Sequence, residues 1–296
     1  MNDDCHVLAF VEYLAQAQRL SHVVGCPCTA IDSHHFPDGE SRLRLPANLP
    51  ETVIICRSLN DPNEKLVELI LAAAHLRNQG VHRLILVSPY LCYMRQDKAF
   101  HPGEVVSQRI IGKLLADYLD GVITVDAHLH RIHHLHDALP MEFAINLTAT
   151  HPMAQFLEQQ NLQPMLVGPD GESEQWVASI ARHEGLDYCI AQKQRLGDRQ
   201  VTVSLPDCDF SGMDIVLVDD VASTGRTLED AARQLQSASP ASLSVMVTHA
   251  LFLDDAVQRL HAVGVKNIWS CDSIPHPSNR IHLDRLLGEA LLNMLS

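Results

Sequence analysis

An α/β fold is predicted, with mainly parallel sheets flanked by helices and the chain divided into two halves. Three observations carry this. Short runs rich in Val, Ile and Leu (53–56, 84–87, 122–125, 165–168, 215–218, 243–248) have the continuous hydrophobicity of strands buried on both faces. Segments with helical periodicity lie between them. The alternation restarts after Asn146–Pro152, so 1–147 and 148–296 are expected as two domains.

The bulk numbers agree with this plan. A chain of 296 residues that is 46% hydrophobic can build two ordinary domains or one large one, and with aromatics at 5% aliphatic side chains must carry the core. A net charge of −14 argues against non-specific nucleic-acid binding, so any strongly anionic ligand must meet a local basic cluster or a metal ion. No run of eighteen uncharged apolar residues is present, and the start lacks a basic region before an apolar one. Neither a membrane span nor a secretory signal is indicated, and the cytoplasm is the expected compartment. Of eight cysteines only Cys26 and Cys28 are close, at a spacing unlike a zinc pair, so reduced structural thiols are expected.

In the first half, Val7–Phe10 reads as a strand, Val11–Val24 as a helix and Thr29–Ile31 as a strand. Pro37-Asp38-Gly39 is a turn signal, because proline fixes φ and glycine tolerates positive φ. Arg42–Leu45 then alternates like an edge strand. Strand Val53–Cys56 leads through Asn60–Glu64 to helix Lys65–Asn78, with Leu66, Leu69, Ile70, Ala73 and Leu76 on one face and Gly80 beyond its end. Strand Leu84–Val87 runs into Ser88–Asp97, at the carboxyl end where open α/β sheets bind ligands. Helix Val106–Leu119 and strand Val122–Val125 follow, and the strand ends in Asp126-Ala-His128. The histidines His130, His133, His134 and His136 lack a spaced carboxylate or cysteine, Asp137 apart, and read as solvated.

In the second half, helix Met153–Gln159, strand Met165–Gly168, helix Glu174–His183 and strand Tyr188–Ala191 lead to the cationic run Gln192–Gln200 and strand Val201–Leu205. Asp170 stands in a βα turn, where it can serve as a simple cap or as a ligand. Strand Ile215–Val218 ends in Asp219 and Asp220. A loop of small residues follows (Ser223, Thr224, Gly225, Thr227, with Arg226 among them), and then helix Leu228–Gln236. Backbone amides in such a strand–loop–helix turn favour an anion, and paired acids accept from vicinal hydroxyls, so one turn offers both halves of a sugar-phosphate receptor. Strands Leu243–Thr248 and Asn267–Cys271 and helices Leu253–Ala262 and Ile281–Leu295 complete the chain.

The stretch Asp214–Leu228 resembles the phosphoribosyl-pyrophosphate motif of type I phosphoribosyltransferases and of ribose-phosphate pyrophosphokinases. Phe36-x-Asp38-Gly-Glu40, Pro89-Tyr-x-x-Tyr-x-Arg95-Gln96-Asp97, Asp126-x-His128 and Lys193-x-Arg195 are similar to segments of the pyrophosphokinases alone, and the likeness runs from about Ile31 to the C-terminus. It implies two tandem type I phosphoribosyltransferase-like, Rossmann-like domains. It also implies pyrophosphoryl transfer from ATP to ribose 5-phosphate with Mg²⁺, for nucleotide biosynthesis. By the same resemblance Phe36, Asp38, Glu40, Arg95, Gln96 and Asp97 contact ATP, and Lys193, Arg195 and His128 act at the reacting phosphates. Asp219, Asp220, Ser223, Thr224, Gly225, Arg226 and Thr227 hold ribose 5-phosphate, and His128 and Asp170 lie by the metal. Phe36–Glu40 would serve a neighbouring subunit of a homo-oligomer. The length and the Ser223-Thr-Gly loop look like the shorter archaeal-type members; Arg226 departs from the small residue common there. A phosphoribosyltransferase and a non-catalytic regulatory paralogue remain as rivals.

Overall fold

The computed structural model describes residues 4–129, 131–132, 134–195, 201–206 and 208–296, with the backbone alone at 193–195 and 201–203. The chain forms two compact units, Met1–Leu147 with Asp284–Ser296, and Thr148–Leu283. No helix among the described residues is long and apolar enough to cross a membrane.

The first unit is built on β1 (Cys5–Ala9), β2 (Cys28–Ala30), β5 (Thr52–Cys56), β6 (Arg83–Val87), β7 (Gly121–Val125) and β8 (Phe143–Leu147). They form one parallel sheet in the order β2-β1-β5-β6-β7-β8. Helices α1 (Leu14–Val24), α2 (Pro62–Asn78) and α3 (Ser107–Ala116) make the crossovers. An antiparallel hairpin of β3 (Asp32–His35) and β4 (Ser41–Arg44) projects after β2. Leu8, Val53, Ile55, Leu84 and Leu86 share an aliphatic core with Leu69, Ala73 and Leu76 of α2. Of the helical stripe expected from the sequence, Leu66, Leu69, Ala73 and Leu76 pack into the core while Ile70 stays partly exposed, and α2 starts earlier, at Pro62, where proline suits a first helical turn.

The second unit follows the same plan. Its sheet holds β9 (Met165–Gly168), β10 (Tyr188–Ile190), β13 (Asp214–Ala222), β14 (Ser242–Ala250), β15 (Asn267–Cys271) and β16 (Asn279–Ile281), in the order β10-β9-β13-β14-β15-β16 and parallel throughout. Helices α4 (Thr150–Gln159), α5 (Glu174–Glu184), α6 (Arg226–Ser237) and α7 (Ala256–Ala262) flank it. A hairpin of β11 (Gln192–Arg195) and β12 (Val201–Ser204) follows β10 just as β3–β4 follows β2. The duplication, invisible as repeated sequence, is plain as topology. Two of the sheet strands, β8 and β16, escape the sequence reading because neither is a continuous apolar run.

Two expectations are corrected. The terminal helix α8 (Asp284–Leu295) belongs to the first unit, not to a domain 148–296. It lies against α1, and a Cβ at Gly288 would come within 2.5 Å of Val23 Cγ1, so only glycine permits the approach. Arg83 also donates to the Met294 carbonyl. Secondly, the thiols are not all reduced: Cys5 and Cys26, both buried, form a disulfide with Cα atoms 5.8 Å apart. The parallel pairing of β1 with β2 brings the start of β1 to the turn after α1, a proximity that cysteine spacing does not reveal.

Candidate active site

The second unit places its phosphate-loop candidates at the carboxyl end of β13. Ile215–Val218 is buried in the sheet, Asp219 is partly exposed and Asp220 is buried. The Asp220 amide donates to Asp219 Oδ1 at 3.0 Å. Burial, then the neighbouring charges of Asp220 and Asp170, push the Asp219 carboxyl well above the ordinary carboxylate range. Asp219 and Asp220 of β13 and Asp170 after the neighbouring β9 are therefore gathered together.

Gly225 ends the loop in the left-handed region at φ 69° and caps α6. A Cβ there would also meet Ala256 Cβ at 3.2 Å. The first helical hydrogen bond is Glu229 N to Gly225 O at 2.8 Å, which leaves the amides of residues 226–228 without intrahelical partners. Ser223 and Thr227 are partly exposed, and Thr224 and Arg226 are exposed. The loop is braced from behind. Phe252 N donates to Ala222 O at 2.8 Å and Leu253 N to Ser223 O at 2.9 Å. Arg259 donates to Thr224 O at 2.5 Å and to Glu229 Oε2 at 2.9 Å. Glu229 and Arg259 are the residues the sequence reading missed; each looks like an ordinary charge on a helix face until the fold joins them. Gly225→Ala is expected to cost about 1–2 kcal/mol through the left-handed backbone alone. A lowered melting temperature together with a raised KM for a ribose phosphate would be its signature.

Asp170 is 8% exposed and caps a short 3-10 turn, accepting from Glu172 N at 3.1 Å. It also lines a cleft of about 640 Å³ with Gly171, Glu172, Ile190, Ala191 and Gln192. Its capping and its place in a cleft are thus both real. Ala191 and Gln192 are the root of the β11–β12 hairpin, in which Lys193 pairs with Val203 and Arg195 with Val201. The side chains of Lys193 and Arg195 lie outside the described residues, as does His130.

In the first unit, Phe36-Pro-Asp38-Gly-Glu40 forms the exposed turn between β3 and β4. Phe36 N donates to Glu40 O at 2.8 Å, Glu40 N donates to Asp38 Oδ1 at 3.1 Å, and the Phe36 ring stands edge-on to His34 at 4.9 Å. Arg95 is exposed beyond β6. The Asp97 side chain is 2% exposed and takes Arg131 at 2.6 Å, while Arg131 also lies over the Phe100 ring. Gln96 donates to Lys98 O at 2.9 Å. Glu104 closes this loop by accepting from Phe100 N and His101, each at 2.6 Å, and the His101 bond foremost holds its carboxyl below the ordinary range. His128 is partly exposed beyond β7, two residues after Asp126, whose φ of 41° bends the chain sharply out of the strand.

The second unit thus joins a parallel sheet with acids at a central strand end, a loop closed by Gly225 at the start of α6 and a projecting hairpin. Residues 142–284 match the phosphoribosyl transferase domain, and residues 6–118 match the N-terminal domain of ribose phosphate pyrophosphokinase. The ribose-phosphate pyrophosphokinase of Methanopyrus kandleri is 31% identical, covering 97% of this chain and 99% of its own. Ribose-phosphate pyrophosphokinase 2 of Archaeoglobus fulgidus is 30% identical over 92% of this chain and 95% of its own. A crystal structure of phosphoribosylpyrophosphate synthetase from Mycobacterium smegmatis shares the fold, with a TM-score of 0.82 over 99% of both chains at 19% identity. The chain belongs to the ribose-phosphate pyrophosphokinase family. The likeness reaches back to residue 6, so the opening strand and helix, which the motifs left aside, are part of it.

Proposed function

We propose that this chain transfers the β,γ-pyrophosphoryl group of ATP to the 1-hydroxyl of ribose 5-phosphate, giving 5-phosphoribosyl 1-pyrophosphate and AMP. The observation that carries this reading is the β13 strand end, where Asp219 and Asp220 precede a glycine-capped phosphate loop. The acids accept from the ribose 2- and 3-hydroxyls, and Ser223–Thr227 with the free amides of α6 take the 5-phosphate. O1 of the sugar then attacks the β-phosphorus and gives up its proton to solvent, the bond from that phosphorus to the α–β bridging oxygen breaks, and AMP leaves with the electron pair. Lys193 and Arg195 neutralise charge as it develops on the leaving group. Phe36, Asp38 and Glu40 read the adenine, and Arg95, Gln96 and Asp97 approach the nucleotide with His128.

Mg²⁺ fits the second unit. Asp170, beside Asp219 and Asp220, adds a third carboxylate, and oxygen donors with room for water are what this ion takes. When bound, it supplies charge neutralisation at the phosphates. Asp170 is the residue proposed to hold it, and His128 is proposed to meet it through the phosphates. Phe36 is left 42% exposed on its turn, which supports a homo-oligomer in which the turn serves a neighbour. A cytoplasmic location belongs to the same reading. A phosphoribosyltransferase would give no employment to the first unit.

The test is to supply ATP, ribose 5-phosphate and Mg²⁺ and to follow AMP and phosphoribosyl pyrophosphate. Both are expected in equal amounts. Tight ATP binding with no turnover would instead support the non-catalytic paralogue.

A further inference from the structure

In topology, the exit from β5 in the first unit corresponds to the phosphate loop after β13 in the second. In place of a small-residue loop this exit carries Arg57, 4% exposed. Its guanidinium lies 3.6 Å from the Phe10 ring centroid and donates to Glu12 Oε1 at 2.7 Å, to Lys65 O at 3.1 Å and to Glu68 Oε2 at 2.6 Å. Glu68, on α2, is 1% exposed. Its other oxygen meets His35 Nε2 at 2.8 Å, and the same nitrogen stands 3.0 Å from Glu64 Oε1, one turn earlier on α2. His35 is the last residue of β3 and directly precedes Phe36-Pro-Asp-Gly-Glu40. The exit from β5 thus carries a charge network tied to the base-reading hairpin.

We propose that His35 is a positioning residue for the nucleotide. Protonated, it bridges Glu64 and Glu68 and fixes the β3–β4 hairpin, and with it Phe36–Glu40, against α2. The reading rests on the assignment of that turn to the adenine. Its physical basis is the charge balance around the imidazole. Glu64 and Glu68 face it from α2 and Arg57 from the β5 exit, while Ser41 on β4 hydrogen-bonds Glu68. Around the imidazole two carboxylates meet one permanent cation, and a charged His35 closes the balance. Lys65 is committed elsewhere, donating to Ser58 O at 2.9 Å and Asn60 Oδ1 at 2.8 Å.

The titration behaviour agrees with the geometry. Burial alone would raise the Glu68 carboxyl, but hydrogen bonds from Arg57, His35 and Ser41 outweigh it and hold the group below its ordinary range. The bond to Glu68, with Glu64 and Glu68 charge adding to it, raises His35 above its ordinary value. A histidine raised in this way gives its full clamping below the ordinary imidazole range and loses it as pH climbs through the raised value.

The test measures KM for ATP, KM for ribose 5-phosphate and kcat from about pH 6 to 9. It compares the unaltered protein with His35→Arg, His35→Leu and Phe36→Ala, each first checked by thermal melting. Variant-to-wild-type ratios cancel the titration of ATP itself. His35→Leu is expected to raise KM for ATP about fivefold at low pH with kcat and KM for ribose 5-phosphate within about twofold. That ratio should shrink at high pH, where the wild-type clamp is already weakened. His35→Arg, permanently charged, should retain the low KM across the range. A His35→Leu ratio near one at every pH, with Phe36→Ala raising KM for ATP, overturns the positioning role alone. Phe36→Ala without effect removes the adenine assignment, and the positioning role falls with it.

Discussion

Lys193→Ala is expected to lower kcat by about 10²–10³-fold, with KM for ATP changed far less. A protein of net charge −14 sets Asp219 and Asp220 of β13 beside Asp170 of the turn after β9, yet must bind a polyphosphate and release AMP. Positive charge has to be local, and the β11–β12 hairpin carries it. Its root, Ala191 and Gln192, lines the cleft of Asp170, and Lys193 and Arg195 follow it in β11. A cation needed where charge develops affects the transition state more than the ground state. Steady-state kinetics decide the matter. A large loss of ATP affinity at unchanged kcat would refute the role.

Asp219→Asn should separate function from stability. The raised Asp219 carboxyl shows that its charge is disfavoured where it stands, by burial first and by Asp220 and Asp170 next. The folded chain therefore binds that proton more tightly than the unfolded chain. Stability falls as pH rises from the ordinary carboxylate range to the raised folded value, and above it the full cost is present. In metal-free buffer at about pH 8, the amide variant should melt roughly 2–4 °C higher, equivalent to about 1 kcal/mol. The advantage should shrink toward about pH 4, where the native carboxyl is protonated too. In the same protein, KM for ribose 5-phosphate should rise at least about tenfold, since an amide replaces a charged acceptor for a sugar hydroxyl. A variant that melts lower than the parent at about pH 8 would contradict the strained-acid account.

Much of this was legible in the sequence. The buried parallel strands announce themselves as continuous apolar runs, and the β13–loop–α6 turn carries its own chemistry in Asp219, Asp220, Ser223 and Gly225. What stayed hidden depends on long-range partners. Arg57 looks like one charge after a strand, Glu68 like one acid in an amphipathic helix and His35 like one member of a histidine-rich stretch; only the fold joins them. Arg259 reaches back in the same way, 35 residues to Thr224 O in the phosphate loop and 30 residues to Glu229. The return of α8 to the first unit depends on the close approach at Gly288, and the Cys5–Cys26 bond on strand pairing. Neither leaves a local signal.

The central claim concerns which phosphorus is attacked, and one measurement addresses it. ATP labelled at the β-phosphorus is incubated with ribose 5-phosphate and Mg²⁺, and the products are separated. The account predicts that the label appears in phosphoribosyl pyrophosphate, on the phosphorus bonded to the sugar's O1, with unlabelled AMP released in equal amount. Label retained in ADP, with a single phosphoryl group on the sugar, would contradict it.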